Sequence, residues 1–264
     1  MTEGPAEELN LTENAQPAIM VASIVSLKQL HWAYLRHMHG VSVSSYSYAL
    51  GHSLGEYTAN VLGESISLED GVRLANIRGK AMQEAVQGLA IRMTAVSASE
   101  ATVRGVMNDI SIDGVCEIAG INHDQQVVLS GTKDSVDTVA DYIKTTFKVP
   151  CKALNVSAPF HCKLMKRAAE VVRKELENMQ VNDSAIPVMS NAHTKGVTEA
   201  NEIRQSLVDN IASPALFLKG MEHVVEKGAS LFSELGPKKL LINIVAKIAK
   251  DRNCLLYTSD AADE

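Results

Sequence analysis

The stretch that most constrains this chain is Gly51-His52-Ser53-Leu54-Gly55-Glu56. The residues before it, Val41 to Leu50, are β-branched, aromatic and serine-rich and read as a strand. Those after it, Glu56 to Leu62, read as a helix. Strand, tight turn and helix with a serine at the apex is the nucleophile-elbow pattern Gly-x-Ser-x-Gly. The glycines have physical reasons to be there. The turn needs backbone angles that a Cβ resists, and its neighbours must pack closely beneath the serine. Such a turn exposes the apex hydroxyl and aims the Leu54 N–H at the place where an oxyanion would form. Short patterns of this kind also arise by chance, so the remaining sequence must decide between a nucleophile and an ordinary turn.

At 264 residues the chain suits one large domain, or one domain carrying an insert. Its net charge of −6 comes without a basic stripe, so no nucleic-acid partner is expected. No apolar run is long enough to cross a bilayer, and the start lacks the pattern of a signal peptide, so no membrane role is expected. Cys116, Cys151, Cys162 and Cys254 show no metal-binding spacing and read as reduced thiols. His31, His37 and His39 cluster loosely, but no carboxylate stands at ligand spacing, so they read as a solvated helix end. Neither a metal nor a resident cofactor is expected.

Taken in order, Pro17 opens a helix at its first turn, with Ile19, Ala22, Ile24, Leu27, Leu30 and Leu35 on its apolar side. Ser67 caps a second helix, with Asp70 three residues on. On that helix Gly71, Leu74, Ala75, Ala81, Met82, Ala85 and Leu89 share one face. From Ile91 to Val156 the pattern shortens. Strands at 91–96, 116–121, 126–130 and 151–156 alternate with helices at 99–110 and 132–146, in the β-α-β-β-α-β order of a ferredoxin-like unit. The fold class is therefore α/β. A large domain, residues 1–90 and 157–253, is interrupted by a small subdomain at 91–156. Later come a strand at 186–190, a helix at 201–211, another restarting at Ser213-Pro214, a strand at 231–235 and an amphipathic helix at 238–250. Residues 254–264 break the pattern, resemble a translated sequencing adapter and are set aside.

Two residues stand out as chemistry. Arg78 lies near the centre of the apolar face of its helix, where a guanidinium cannot shed its proton. It must meet a fixed anion, either a protein carboxylate or a bound one. His161, in Ser157-Ala-Pro-Phe-His161, sits where the chain returns from the small subdomain to the large one, and a crevice between the two favours a site. It is the best candidate base for Ser53, with a satisfied structural histidine as the alternative. His52 neighbours Ser53 but points the other way along an extended chain, so it reads as a support of the turn. His123, His193 and His223 read as solvated.

Gly51-His-Ser-Leu-Gly-Glu-Tyr57, Arg78-Gly-Lys-Ala-Met-Gln83, Gln126-Val-Val-Leu-Ser-Gly131, Pro159-Phe-His-Cys-Lys-Leu-Met165 and Glu234-Leu-Gly-Pro237 resemble, in order, the malonyl-CoA:acyl carrier protein transacylases. Gly4-Pro-Ala-Glu-Glu-Leu-Asn10 and Gln16-Pro-Ala18 are similar to that family as well. The resemblance implies an α/β-hydrolase-like large domain with a ferredoxin-like insert. It also implies transfer of a malonyl group from malonyl-CoA to the phosphopantetheine thiol of acyl carrier protein in fatty acid biosynthesis. Ser53 would be the nucleophile, His161 its base and Leu54 an oxyanion donor. Arg78 would grip the malonyl carboxylate. Asn210 matches the position, commonly a glutamine, whose backbone carbonyl holds the histidine in place of a triad acid, a contact that tolerates the change of side chain.

The family opens with a strand and a Gly-Gln-Gly-Ser-Gln loop that supplies a second oxyanion donor, and this chain starts downstream of both. Lys238 and Phe217 also depart from the family pattern. Further expectations are a monomer, placed in the cytoplasm of a bacterium or in the mitochondrial or plastid matrix of a eukaryote. The rival readings are a polyketide-synthase-type acyltransferase, a plain serine esterase and an inactive fragment.

Overall fold

The structure, a computed structural model, describes residues 4–37, 43–237, 239–248 and 254–258, with residues 30–37 and 257–258 described as backbone only. The histidine cluster at 31, 37 and 39, Leu30 and Leu35 of the predicted apolar face, and the departure at Lys238 thus lie outside the described side chains.

A short helix, α1 (Ala6–Leu9), leads into the long α2 (Thr12–His37). Pro17 does not open α2 but sits inside it. A proline there cannot bond to the carbonyl four residues back. That carbonyl, Glu13 O, instead accepts from Asn76 Nδ2 at 2.9 Å. The buried side of α2 is Met20, Ile24 and Leu27, while Ile19, expected inside, is 45% exposed.

After the elbow come α3 (Leu54–Leu62) and α4 (Leu68–Glu84). Ser67 caps α4 as expected, its hydroxyl accepting from Asp70 N. Leu74, Ala75, Ala81 and Met82 are buried, but α4 ends before Leu89, which is exposed. Gly79 brings α4 against α2, since a Cβ there would stand 2.6 Å from Thr12 O.

The small sheet follows the predicted order: β1 (Ile91–Val96), α5 (Glu100–Asp109), β2 (Cys116–His123), β3 (Gln126–Thr132), α6 (Lys133–Phe147) and β4 (Cys151–Ala153). Its strands lie in the order β2-β3-β1-β4, with antiparallel neighbours throughout. Val103, Val106, Val136, Val139 and Ile143 of the two helices cover Val96, Ile118 and Leu129 of the sheet in one core. β4 is shorter than predicted, because beyond Leu154, whose N–H reaches Met93 O, the chain turns off towards His161.

The chain then forms α7 (Lys166–Glu177), β5 (Val188–Met189), β6 (Gly196–Val197), α8 (Ala200–Ala212), α9 (Phe217–Glu226), β7 (Leu231–Glu234), α10 (Leu241–Ile248) and β8 (Leu255–Thr258). β5 pairs antiparallel with β6, and β7 parallel with β8. The second core joins α3, α4, α7 and α8 through Leu54, Tyr57, Leu74, Met82, Val172, Leu176, Leu207 and Ile211.

Further expectations need correction. The strand predicted over Val41–Leu50 is, within the described residues, a single-turn helix at Val43–Ser45 and one parallel bridge, Ala49 to Val188. β5 is only two residues long and offers no further ladder. Ser213-Pro214 does not start a helix. The next residue, Ala215, is used in a bridge to β2: its N–H reaches Ala119 O and its carbonyl accepts from Ile121 N, so α9 waits until Phe217. α10 begins later than predicted because the Glu234 carboxylate accepts the Leu240, Leu241 and Ile242 N–H groups. These are the orphan donors of a helix start, and the negative charge suits the positive end. Finally, part of the segment set aside from Cys254 onward, Leu255–Thr258, is built into the fold as β8 along the edge of β7, with Leu256 packed near Phe232.

Candidate active site

The elbow forms where the Ala49 bridge gives way to α3. Gly51 is required there by packing. A Cβ on it would lie 2.0 Å from Gly55 C and 2.1 Å from Gly55 O. The bare Gly51 lets the first turn of α3 settle onto the incoming chain. The unusual backbone angles fall on Ser53 itself, at φ 55° and ψ −108°, and not on either glycine as the sequence suggested. A non-glycine residue in that region is strained and persists only when its surroundings hold it. Asn191 does this. Its Oδ1 accepts from Ser53 N at 2.8 Å, and its Nδ2 donates to Gly51 O at 2.7 Å.

The predicted site residues converge. Ser53 Oγ lies 2.8 Å from His161 Nε2 and also accepts from Arg78 Nη2 at 3.0 Å. His161 is 4% exposed and, like Ser53, has a positive φ, 60°. Its Nδ1 faces two carbonyls, Asn210 O at 2.8 Å and Ser213 O at 3.2 Å. Carbonyls only accept, so Nδ1 carries the hydrogen and Nε2 is left to receive a proton from Ser53. No carboxylate is needed to fix the ring.

Arg78 is 2% exposed. Nη1 donates to Gln16 Oε1 at 2.6 Å, Nη2 also donates to Asn210 Oδ1 at 3.1 Å, and the guanidinium carbon lies 4.9 Å over the Tyr57 ring. Among the described residues no ion pair involves Arg78, and its Nε has no hydrogen-bond partner. Its partners are neutral acceptors and an aromatic face. Burial lowers its pKa, but an arginine starts so far above neutrality that it stays a cation there. Of the two anions considered for Arg78, a directly paired protein carboxylate is therefore ruled out among the described residues.

Leu54 opens α3, and among the described residues its N–H has no acceptor. Asn210 O lies against His161 Nδ1, the backbone contact that the resemblance implies, and its side chain makes contacts of its own. It accepts from Arg78 and donates to Ser53 O at 3.3 Å and Glu56 Oε2 at 2.8 Å. His52 supports the turn: its Nε2 lies 3.1 Å from Asn122 Oδ1 on β2, and its ring packs 5.8 Å from Phe217 and edge-on to His161. His123, His193 and His223 interact instead with Gln125, Asp209 and Tyr48.

Sequence reasoning assigned no role to Glu56, Asn191, Gln16, Tyr57 or Ser206. Glu56 carried a usable signal, since it stands one turn into a helix directly after the candidate nucleophile. Asn191 and Ser206 carried none, because they arrive from distant parts of the chain.

Burial, followed by the neighbouring positive charge of Arg78 and by His52, pushes the pKa of His161 down to about 3. The base is thus neutral far into acid. The rate of Ser53 acylation, followed by rapid mixing, is expected to change by less than about twofold from pH 8 to pH 5 while the fold persists. A half-loss near the ordinary histidine value, with unchanged circular dichroism, would contradict this. Stability behaves differently. Unfolded His161 takes up a proton below about pH 6.5 and the folded ring does not until about 3, so this group makes the fold lose stability as pH falls through that window.

A model of the acyl transferase domain matches residues 1–261. The malonyl CoA-acyl carrier protein transacylase of Bacillus subtilis (strain 168) is 34% identical over 248 residues, 93% of this chain and 75% of that protein. That of Haemophilus influenzae is 33% identical over 250 residues, 94% of this chain and 78% of that one. The solved structure of the Coxiella burnetii malonyl CoA-acyl carrier protein transacylase superposes with a TM-score of 0.90 at 28% identity, covering 99% of this chain and 80% of that one. A malonyl-transacylase in complex with a type II polyketide acyl-carrier protein gives 0.86 at 30% identity, covering 97% and 79%.

Proposed function

This chain belongs to the malonyl CoA-acyl carrier protein transacylase family of acyl transferases, and on that premise we propose that Ser53, His161 and Arg78 carry malonyl transfer from malonyl-CoA to acyl carrier protein. One observation carries the assignment: the Ser53 hydroxyl touches both a neutral base and a buried, unpaired cation. A nucleophile placed there serves an acyl group that ends in a negative charge.

The chemistry follows from the contacts. Ser53 Oγ attacks the thioester carbonyl as His161 Nε2 takes its proton. The carbonyl oxygen becomes an oxyanion beside the Leu54 N–H, at the positive end of α3. The C–S bond breaks, His161 returns the proton to the thiolate, and coenzyme A leaves. The malonyl carboxylate displaces Arg78 from Ser53 Oγ and takes a forked bond from the guanidinium. The carrier's phosphopantetheine thiol then gives its proton to His161 and attacks the malonyl-serine ester; the C–Oγ bond breaks and His161 returns the proton to Ser53 Oγ. Transfer between two thiols needs no redox step and consumes no water. The protein's own groups suffice, so we assign it no metal and no resident cofactor.

Acyl carrier protein of fatty acid synthesis is the acceptor we favour. The similarity to a transacylase bound to a polyketide carrier makes the second carrier class a necessary arm of the test. With labelled malonyl-CoA, holo carrier from fatty acid synthesis should become labelled, and apo carrier, which lacks the thiol, should not. Labelling of the polyketide-type carrier alone would move the protein to that pathway. Release of free malonate with neither carrier labelled would instead mean a hydrolase.

A further inference from the structure

The carboxylate of Glu56 has no part in these steps, yet it is 1% exposed and lies at the centre of the site's support. Oε2 accepts from Asn191 N at 2.9 Å and from Asn210 Nδ2 at 2.8 Å, while Oε1 accepts from the Ser206 hydroxyl. Each of the two asparagines reaches onward. Asn191 fastens the elbow on both sides of its apex, through Ser53 N and Gly51 O. Asn210 fastens Arg78 through Oδ1 and His161 through its backbone carbonyl. The path from Glu56 to the nucleophile, to the base or to the anion-gripping guanidinium is thus a single residue long in each case.

We infer that Glu56 is a positioning residue that holds the elbow, His161 and Arg78 in one register, and through Arg78 helps set the preference for a charged acyl group. The inference rests on the roles proposed above for those three groups. The bland alternative is a buried carboxylate that supports the fold alone. The hydrogen-bond pattern allows the two to be separated. Both N–H donors meet Oε2, whereas Oε1 meets only a hydroxyl, and a hydroxyl can accept as well as donate. A glutamine with its amide oxygen in the Oε2 place keeps all of these contacts. Its NH2 donates to Ser206 Oγ, whose hydrogen turns to Ser190 Oγ, already 2.7 Å away. An aspartate keeps the carboxyl group but draws both oxygens back by about 1.5 Å, the length of one carbon–carbon bond. That breaks the 2.8 Å bond to Asn210.

The test compares kcat/KM for malonyl-CoA and for acetyl-CoA in the full chain, in Glu56→Gln and in Glu56→Asp, with thermal unfolding of each. Glu56→Gln should stay within about threefold of the parent for both substrates. Glu56→Asp should lose on the order of ten- to a hundredfold with malonyl-CoA, the scale of an ångström-sized misplacement. It should lose less with acetyl-CoA, so that the malonyl-to-acetyl ratio falls. A folded Glu56→Asp with the parent ratio would overturn the inference, as would a Glu56→Gln that loses the ratio. If Glu56→Asp fails to fold, Glu56→Gln decides alone: a kept ratio supports the inference and a lost one overturns it. Ser53→Ala run alongside keeps the two readings apart. Continued transfer by Ser53→Ala defeats the serine reading, whereas an inactive Ser53→Ala beside an unaffected Glu56→Asp defeats only the role of Glu56.

Discussion

Ser53→Ala is expected to abolish malonyl transfer, with a fall of at least about a thousandfold in kcat and no acyl-enzyme. The substitution removes one oxygen, the atom to which His161 Nε2 and Arg78 Nη2 are both directed. Among the described contacts no second hydroxyl is shared by those two groups. His161→Ala should cost about as much, because an unassisted serine is barely ionised near neutrality. The pair acts as a unit, so the double variant should be no worse than either single one. Thermal unfolding guards the interpretation. Alanine at position 53 leaves the backbone bond to Asn191 and the positive φ unchanged, so stability should move by no more than about 1 kcal/mol.

The second large effect concerns selectivity. Arg78→Ala should lower kcat/KM for malonyl-CoA by on the order of a hundredfold or more while sparing or raising that for acetyl-CoA. A neutral acyl group leaves the guanidinium buried and unpaired, and a charged one satisfies it. Sites built around such a group reject the analogue that lacks its partner. Lysine should not rescue. Arg78 holds Gln16, Asn210 and Ser53 at once through a planar fork, and a single ammonium on a flexible stem does not reproduce that geometry. Parallel kinetics with both substrates is the measurement. An equal loss for malonyl and acetyl groups would mean that Arg78 only props the serine.

What could be read from the sequence follows the range of the forces involved. The small sheet was legible because alternating apolar residues and helix periodicity are local signals, and β1 to β4 with α5 and α6 fell in the expected order. Ser53, Arg78 and His161 were legible because each breaks a local rule: a serine at a glycine-flanked apex, a cation on an apolar face, a histidine where the chain crosses between units. The resemblance added Asn210, which no local pattern marked. The strand before the elbow was misread because β propensity alone forms nothing without a partner, and β5 supplies one only beside Ala49. Ser213-Pro214 looked like a helix start because a bridge to Gly120, some ninety residues away in sequence, is invisible locally. The second layer of the site was hidden for the same reason. Asn191 and Ser206 lie well over a hundred residues from the elbow they serve, and nothing in their own surroundings shows where their side chains will be used.

The central claim is that Ser53 carries the malonyl group. Its most direct measurement is to mix the protein with labelled malonyl-CoA in the absence of any carrier, quench in acid, digest, and map the label by mass spectrometry. The expected result is one malonyl group per chain, on the peptide containing Ser53, removed when holo carrier is added before the quench. Label on any other residue, or transfer to the carrier without a labelled Ser53 peptide at any time, would contradict it.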